Sequence, residues 1–337
     1  MKRFNLAAVS IALFATGALA AETKPQDDRA SFDCAKARTT REHTACATPE
    51  TRKADAEMAR AFSRLLRALS PPRAEALVKS QRAFNTYVDQ SCRLGGAGPK
   101  ASSSRDAAGT CLAEKLTERA EFLGSLEVAR AGTLVIEPLV STEFRVARTN
   151  DDSAAADWVT HDAIPHLSGA REDVAALFSA EVKRLFKPDA PLIAGRTSLI
   201  GSVTRGYSVS WLDGRLASLQ AMERVEAGTR VSPVEFGINL DMRAVRPLQL
   251  DAVFERNTAW RDAVTQALKQ ELNHPGEFDT HIAAILAAGP DTLWAFAPDK
   301  VTVSWKTMND PGESVDVPAG VLTPFLRPDS PWRPTPR

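Results

Sequence analysis

The sequence predicts an α + (α+β) protein. A disulfide-stapled helical hairpin or three-helix domain comes first, and a larger antiparallel sheet with packed helices follows. Three observations predict it. All 4 cysteines lie between Cys34 and Cys111. Apolar residues recur with a helical period up to about residue 126. After Arg130 the runs alternate apolar and polar residues and carry Val, Ile, Thr and Phe, as strands do.

The length of 337 residues, with 44% hydrophobic and 25% charged, gives room for two cores. A formal net charge of 0 hides an asymmetry: residues 31–130 carry about +5 and residues 131–337 about −6. The front cations alternate with acids along helices, which reads as a solvated face and not as a nucleic-acid surface.

The chain opens like a secretory signal. Lys2 and Arg3 form a basic start, Leu6 to Phe14 an apolar run, and Ala18-Leu19-Ala20 a small-x-small cleavage site. Residues 1–20 therefore read as a signal peptide. The apolar run is too short for a membrane span, and no later stretch approaches that length. No cysteine follows the cleavage site to carry a lipid. The expected address is periplasmic or secreted, an oxidising compartment, so the cysteines read as two disulfides.

Residues 21–30 are a polar leader. Ser31 to Ala47 holds Cys34 and Cys46 around a short turn with Thr39, Thr40 and Glu42. Thr48-Pro49-Glu50 is a helix start, with a Thr cap, Pro in the first turn and an acid behind it. Met58, Phe62, Leu65, Leu66 and Leu69 form one stripe of that helix. Ser70-Pro71-Pro72 breaks it. A second helix with Leu77, Gln81, Phe84 and Val88 on one face returns to Cys92, predicting an antiparallel hairpin. Gly95 to Gly109 is Gly/Ser/Ala-rich and reads as a flexible loop. Cys111 starts the third helix, with Leu112, Leu116, Ala120 and Leu123.

Four cysteines allow three connectivities. Locality favours Cys34–Cys46 with Cys92–Cys111, while the returning hairpin leaves Cys34–Cys92 and Cys46–Cys92 open. A Cys92–Cys111 bond would contribute roughly 3 kcal/mol by the chain-entropy account.

The domain behind spans 133–327, after a helical domain at 31–127. Thr133 to Ile136, Ser141 to Ala147 and Asp157 to Pro165 read as extended pieces, and Arg171 to Phe186 as a helix. Ser198 to Val203, Tyr207 to Leu212, Arg215 to Glu226 and Val231 to Met242 read as successive antiparallel strands, with Asp213-Gly214 a hairpin turn. Leu250 to Phe254 leads into a helix from Trp260 to Leu272. Ile282 to Ala287 reads as a short helix, Leu293 to Phe296, Lys300 to Trp305 and Glu313 to Val317 as closing strands, and Val321 to Leu326 as a last short element. The Pro-rich tail 328–337 reads as loose.

No catalytic set emerges. The sequence has no nucleophile elbow, P-loop, His-Glu-x-x-His or dinucleotide glycine pattern, and no Cys-x-x-Cys. Neither cofactor nor enzymatic activity is expected. Asp157, His161, Asp162 and His166 are a weak metal candidate, because Pro165 argues against the helix their spacing needs. His274, Glu277, Asp279 and His281 surround Pro275-Gly276 and read as a polar loop. Among the tryptophans, Trp211, Trp294 and Trp305 lie in apolar strand runs and read as core. Surface tryptophans that stack on sugars would make a glycan-binding module, the rival reading.

Phe32-Asp33-Cys34-Ala35-Lys36-Ala37, Glu42, Cys46, Asp55, Gln81-Arg82, Phe84, Cys92, Cys111-Leu112 and Arg119 to Leu123 together resemble the lysozyme inhibitor LprI N-terminal family, over residues 31 to about 126. Phe84 stands where the family usually has Trp, Ala45 replaces an apolar residue before Cys46, and the loop before Cys111 is long. The rear domain more distantly resembles exported α/β domains of the RsiV type (DUF3298/DUF4163-like), through Ile164 to Gly169, Tyr207 to Trp211, Gly237 to Phe254, Trp294 to Pro298 and Val315 to Pro318. The family's Gly-x-His-Pro pattern is replaced by Gly228-Thr229-Arg230-Val231, without His. The resemblance implies a non-enzymatic envelope protein that binds and inhibits lysozyme or another cell-wall hydrolase, with peptidoglycan binding as the alternative. A basic lysozyme would be steered toward the acidic rear domain.

Overall fold

The computed structural model describes residues 29–94, 102–147, 156–186, 201–227, 230–256, 259–271, 294–305 and 313–334. The signal segment, the 274–281 cluster and the short helix expected at 282–287 lie outside them.

After a 3-10 turn, Cys34–Lys36, the helical part consists of α1 (Thr40–Ala47), α2 (Pro49–Ala68), α3 (Pro71–Ser91) and α4 (Ser102–Ser125). The turn expected around Thr39 is in fact helix α1. Its capping box explains why: the Thr39 hydroxyl accepts from the Glu42 amide, and the Glu42 carboxylate accepts from the Thr39 amide at 2.9 Å. The Glu42 pKa is lowered, first by the Arg38 amide and then by that of Thr39. A second box, Thr48 with Thr51, opens α2, with Pro49 in its first turn.

The flexible loop expected at Gly95–Gly109 is also corrected. Residues 102–109 belong to α4, which therefore starts well before Cys111. Nothing from Ser102 to Gly109 breaks a helix, and buried Ala108 continues the apolar face of Leu112 and Leu116. Residues 95–101 lie outside the described residues. Cys34 is bonded to Cys46 and Cys92 to Cys111, with Cα atoms 5.8 and 5.6 Å apart.

The sheet begins with β1 (Ala129–Ala131), β2 (Leu134–Ala147) and β3 (Ala156–Ser168), followed by α5 (Glu172–Leu185). It continues with β4 (Gly201–Leu212), β5 (Leu216–Ala227), β6 (Arg230–Asp241) and the two-residue β7 (Arg246–Pro247). These strands lie in sequence order in one seven-stranded sheet. It is mixed, not wholly antiparallel, because β3 and β4 pair in parallel. The crossover that a parallel pair requires contains α5. Two expected strand pairs are single long strands, β2 and β4. Pro138 does not interrupt β2: it faces Pro165 of β3, beyond the residues that pair with β1 and β4, so the missing amides fall where no outer strand needs them. At the Asp213 turn the carboxylate accepts from the amides of Arg215 and Leu216, both at 2.7 Å.

Beyond the sheet come α6 (Leu250–Val253), α7 (Ala259–Glu271), β8 (Trp294–Phe296), β9 (Lys300–Trp305), β10 (Glu313–Pro318) and α8 (Ala319–Leu322), closed by a 3-10 turn, Thr323–Phe325. β8 to β10 form a second, antiparallel sheet. The tail is not loose throughout. Trp332 is fully buried, donates from Nε1 to the Ala297 carbonyl at 2.9 Å and packs against Phe254 and Phe296. An indole that large adds more burial than a short tail loses in chain entropy.

Strand register assigns the layers. His161 pairs with Thr204 and Thr204 with Arg224, so these residues share a face with Met222, Gln220 and Ser218. Helices α3 and α4 cover that face at β2 and β3, where Val140, Phe144, Val159 and Ala163 enter helical cores. The small sheet covers it at β5 and β6, through Ser218, Gln220 and Asn239. Helix α5 packs Val174, Phe178 and Val182 on the opposite face, against Tyr207, Leu219 and Ile238.

The expected hairpin is opened by this arrangement. Helix α2 runs along α4, and α3 lies on strand β2. Small residues at the first contact, Ala56, Ala61, Ala120 and Gly124, let the two helices approach closely.

Candidate functional site: a basic groove over a buried cation

Two neighbouring features of the helical layer stand out, one buried and one exposed. The buried one is Arg119 of α4, with no exposed surface. Among the described residues no carboxylate pairs with it. Its Nε donates to Gln81 Oε1 at 3.2 Å, Nη2 to Ser80 Oγ at 2.9 Å and Nη1 to Thr142 Oγ1 at 3.3 Å. The guanidinium carbon stands 5.1 Å from the ring centre of Phe84 and 5.3 Å from that of Phe122. Neutral dipoles and ring faces thus replace water, and burial pushes the Arg119 pKa down to about 9.

His161 completes the cluster. Its Nδ1 lies 3.4 Å from Arg119 Nη1 and 3.3 Å from Thr142 Oγ1. A guanidinium only donates, so Nδ1 must accept and the ring is neutral, with its proton on Nε2. Burial, then the Arg119 and Lys115 charges, push the His161 pKa down to about 3. The cluster joins α3 and α4 to β2 and β3. Glu137 of β2 adds a second tie: it accepts from the Ser70 amide at 3.0 Å and hydroxyl at 2.6 Å, capping α3 from the sheet.

The exposed feature is a groove of about 1050 Å³ between α2 and α4. Its floor includes Ala56, Ala59, Ala61 and Ala120. Arg29, Arg60, Arg64 and Arg67 stand on its rim against two acids, Glu57 and Glu121. Arg60, Arg64 and Arg67 recur at i, i+4 and i+7, so they form one ridge of α2. All three are exposed. Arg64 donates to the Gly124 carbonyl at 2.8 Å, which fixes it across the α2–α4 seam. Arg67 makes no ion pair among the described residues.

The residues singled out in the sequence distribute as follows. Gln81, Phe84 and Arg119, quoted separately for the resemblance, meet in the buried cluster. Asp55 accepts from the Ser31 amide at 2.7 Å and anchors the chain entry on α2. His161 and His166 lie on opposite faces of β3, five residues apart, and do not converge. Among the described residues no group of three or more His, Cys, Asp or Glu side chains could hold a metal ion. Trp260, Trp294 and Trp332 are core, while Trp158 and Trp211 are partly buried. The Arg60–Arg64–Arg67 ridge was hidden from sequence reasoning by the front domain's even mixture of charges. Its helical spacing was the signal that could have found it.

Among the described residues no helix is long and apolar enough to cross a membrane. No curated protein matches the chain. Solved structures similar to it include a member of the DUF3298 family from Bacteroides fragilis and a DUF3298 family protein from Pseudomonas aeruginosa. The first is 14% identical, covers 59% of this chain and 95% of its own, and superposes with a TM-score of 0.37. The second is 16% identical, covers 58% and 94%, and has a TM-score of 0.37. The helical layer with both disulfides, the buried arginine and the basic groove is similar to the family described as Lysozyme inhibitor LprI, whose model matches residues 33–123.

Proposed function

We propose that this is an exported envelope protein that binds lysozyme and inhibits it without chemistry of its own. The observation that carries the reading is the match of residues 33–123 to the lysozyme inhibitor family. The physical features support it. Two disulfides suit an oxidising compartment. An inhibitor gains affinity from a surface held rigid before binding, and α2 is held by α4, by two disulfides in its layer and by that layer's ties to the sheet. In this reading residues 31–127 are the inhibitory unit, residues 133–327 carry it, and the signal peptide ends near Ala20.

The test is titration of the oxidised full-length mature chain into lysis assays with c-type and g-type lysozymes. Expected is saturable inhibition of at least one type, lost when both disulfides are reduced. Absence of inhibition of every lysozyme tried at about 10 µM protein would overturn the reading. Retention on insoluble peptidoglycan without inhibition would favour the glycan-binding alternative.

A further inference from the structure

We infer that the arginine ridge of α2 is the inhibitory surface, and that it enters the substrate cleft and pairs with the hydrolase's catalytic carboxylates. This rests on the reading above and assigns it to named residues. The argument begins with charge. A lysozyme can be basic overall, yet its cleft must hold the two carboxylates that perform glycoside hydrolysis. A partner aimed at the cleft therefore needs cations, and its overall charge matters less.

Spacing gives the second argument. Retaining glycosidases place their two carboxyl groups about 5–5.5 Å apart. Residues at i and i+4 on a helix have Cβ atoms about 5–6 Å apart. Arg60 and Arg64 can thus address both carboxylates at once, each through a planar fork of donors. Arg67, two turns from Arg60 and about 10 Å along the axis, extends the contact down the cleft. The third argument is shape. The groove beside the ridge is lined by alanines, and the three arginines are exposed along it, Arg64 held in place by the Gly124 carbonyl.

Arg60→Gln/Arg64→Gln/Arg67→Gln tests the assignment in the full oxidised chain. The outcome expected is about 100-fold weaker binding to the lysozyme that the wild type inhibits, with an unchanged melting temperature and near-ultraviolet circular dichroism. Arg60→Lys/Arg64→Lys/Arg67→Lys should recover only part of the loss, because charge returns without the fork. Removing three exposed rear charges, Arg224→Gln/Arg243→Gln/Arg256→Gln, should leave binding within twofold. A lysozyme whose catalytic carboxylates are changed to amides should bind the wild type at least tenfold more weakly. Undiminished binding by the glutamine variant overturns this assignment and leaves the inhibitor reading standing. Undiminished binding of the amide lysozyme overturns the cleft as the target. A wild type that binds no lysozyme overturns both the reading and the assignment.

Discussion

Arg119 and Arg205 are both buried arginines beside neighbouring residues of β3, but the sequence surrounds them in opposite ways. Arg119 contacts His161 and, among the described residues, has no carboxylate partner. Arg205 pairs with Asp162 on the other face of the strand, and with Glu223. Its Nε lies 2.6 Å from Glu223 and its Nη1 3.3 Å from Asp162, direct register partners on β3, β4 and β5. Burial alone would lower the Arg205 pKa, but the hydrogen bonds and charges of Glu223 and Asp162 outweigh it and raise the pKa. Burial also raises the Asp162 pKa, and the attraction of Arg205 offsets only part of that. The Arg205 triad therefore joins strands through charge. The Arg119 cluster joins layers through dipoles and ring faces, and its energetics depend on every neutral partner being in place.

The comparison can be broken by removing each cation. Arg119→Ala should cost about 3–5 kcal/mol in urea unfolding, because it leaves a cavity and orphans Gln81 and Ser80 partners. Arg119→Met should cost only about 1–2 kcal/mol, since Ser80 and Thr142 keep their own bond at 2.8 Å. Equal losses in the two variants would mean that the polar contacts of Arg119, and not its packing, hold the cluster.

The next largest effect separates the clusters by pH. His161 is neutral in the fold down to pH about 3, against an ordinary value of 6.5. Above pH 6.5 neither state is protonated there, and the group costs nothing. Below it the unfolded chain takes up a proton that the folded chain refuses. Stability should thus fall by up to about 1.4 kcal/mol per pH unit between pH 6.5 and 3, or roughly 2–3 kcal/mol by pH 4.5. His161→Gln should flatten this slope in denaturation curves taken from pH 7 to pH 4.5. An unchanged slope would assign the acid sensitivity to other groups.

Arg205→Met should cost about 2 kcal/mol at pH 7, because two partly buried acids lose their counter-ion. Its pH dependence has the opposite sense: the deficit relative to wild type should shrink toward pH 4, as Asp162, whose pKa burial raises, takes up a proton. A deficit independent of pH would exclude the ion triad as its source. The smallest expected effect is Ser80→Ala, about 1 kcal/mol, which removes one acceptor from Arg119. Combined with Thr142→Val in a double-mutant cycle, it measures the coupling between the helical layer and the sheet.

Legibility followed the range of the interaction. The start of α2 at Thr48-Pro49, its break at Ser70-Pro71-Pro72 and the Asp213 turn were readable because each depends on neighbours in sequence. Helix α1 was missed although its capping box, Thr39 and Glu42, is equally local. The serine run of α4 reads as a loop because Ser is weakly biased against helix, whereas the buried Ala108–Leu112–Leu116 face overrides that bias. The burial of Trp332 could not be seen, since its partners Phe254, Phe296 and Ala297 lie far back in the chain.

By itself, the sequence determined the class of the protein: helices first, strands afterwards, and all cysteines gathered in the helical part. Periodicity, caps and turn residues suffice for that, because they act within a few residues. Only the tertiary structure decided that α3 lies on β2, that β3 and β4 run parallel, and that Gln81, Phe84 and Arg119 meet Thr142 and His161. Thr142 and His161 are 19 positions apart and Arg119 and His161 42, and no local propensity encodes such contacts. The arginine ridge belongs to both levels. Its spacing is written in α2, but its exposure beside an alanine floor exists only because α4 supplies the other wall.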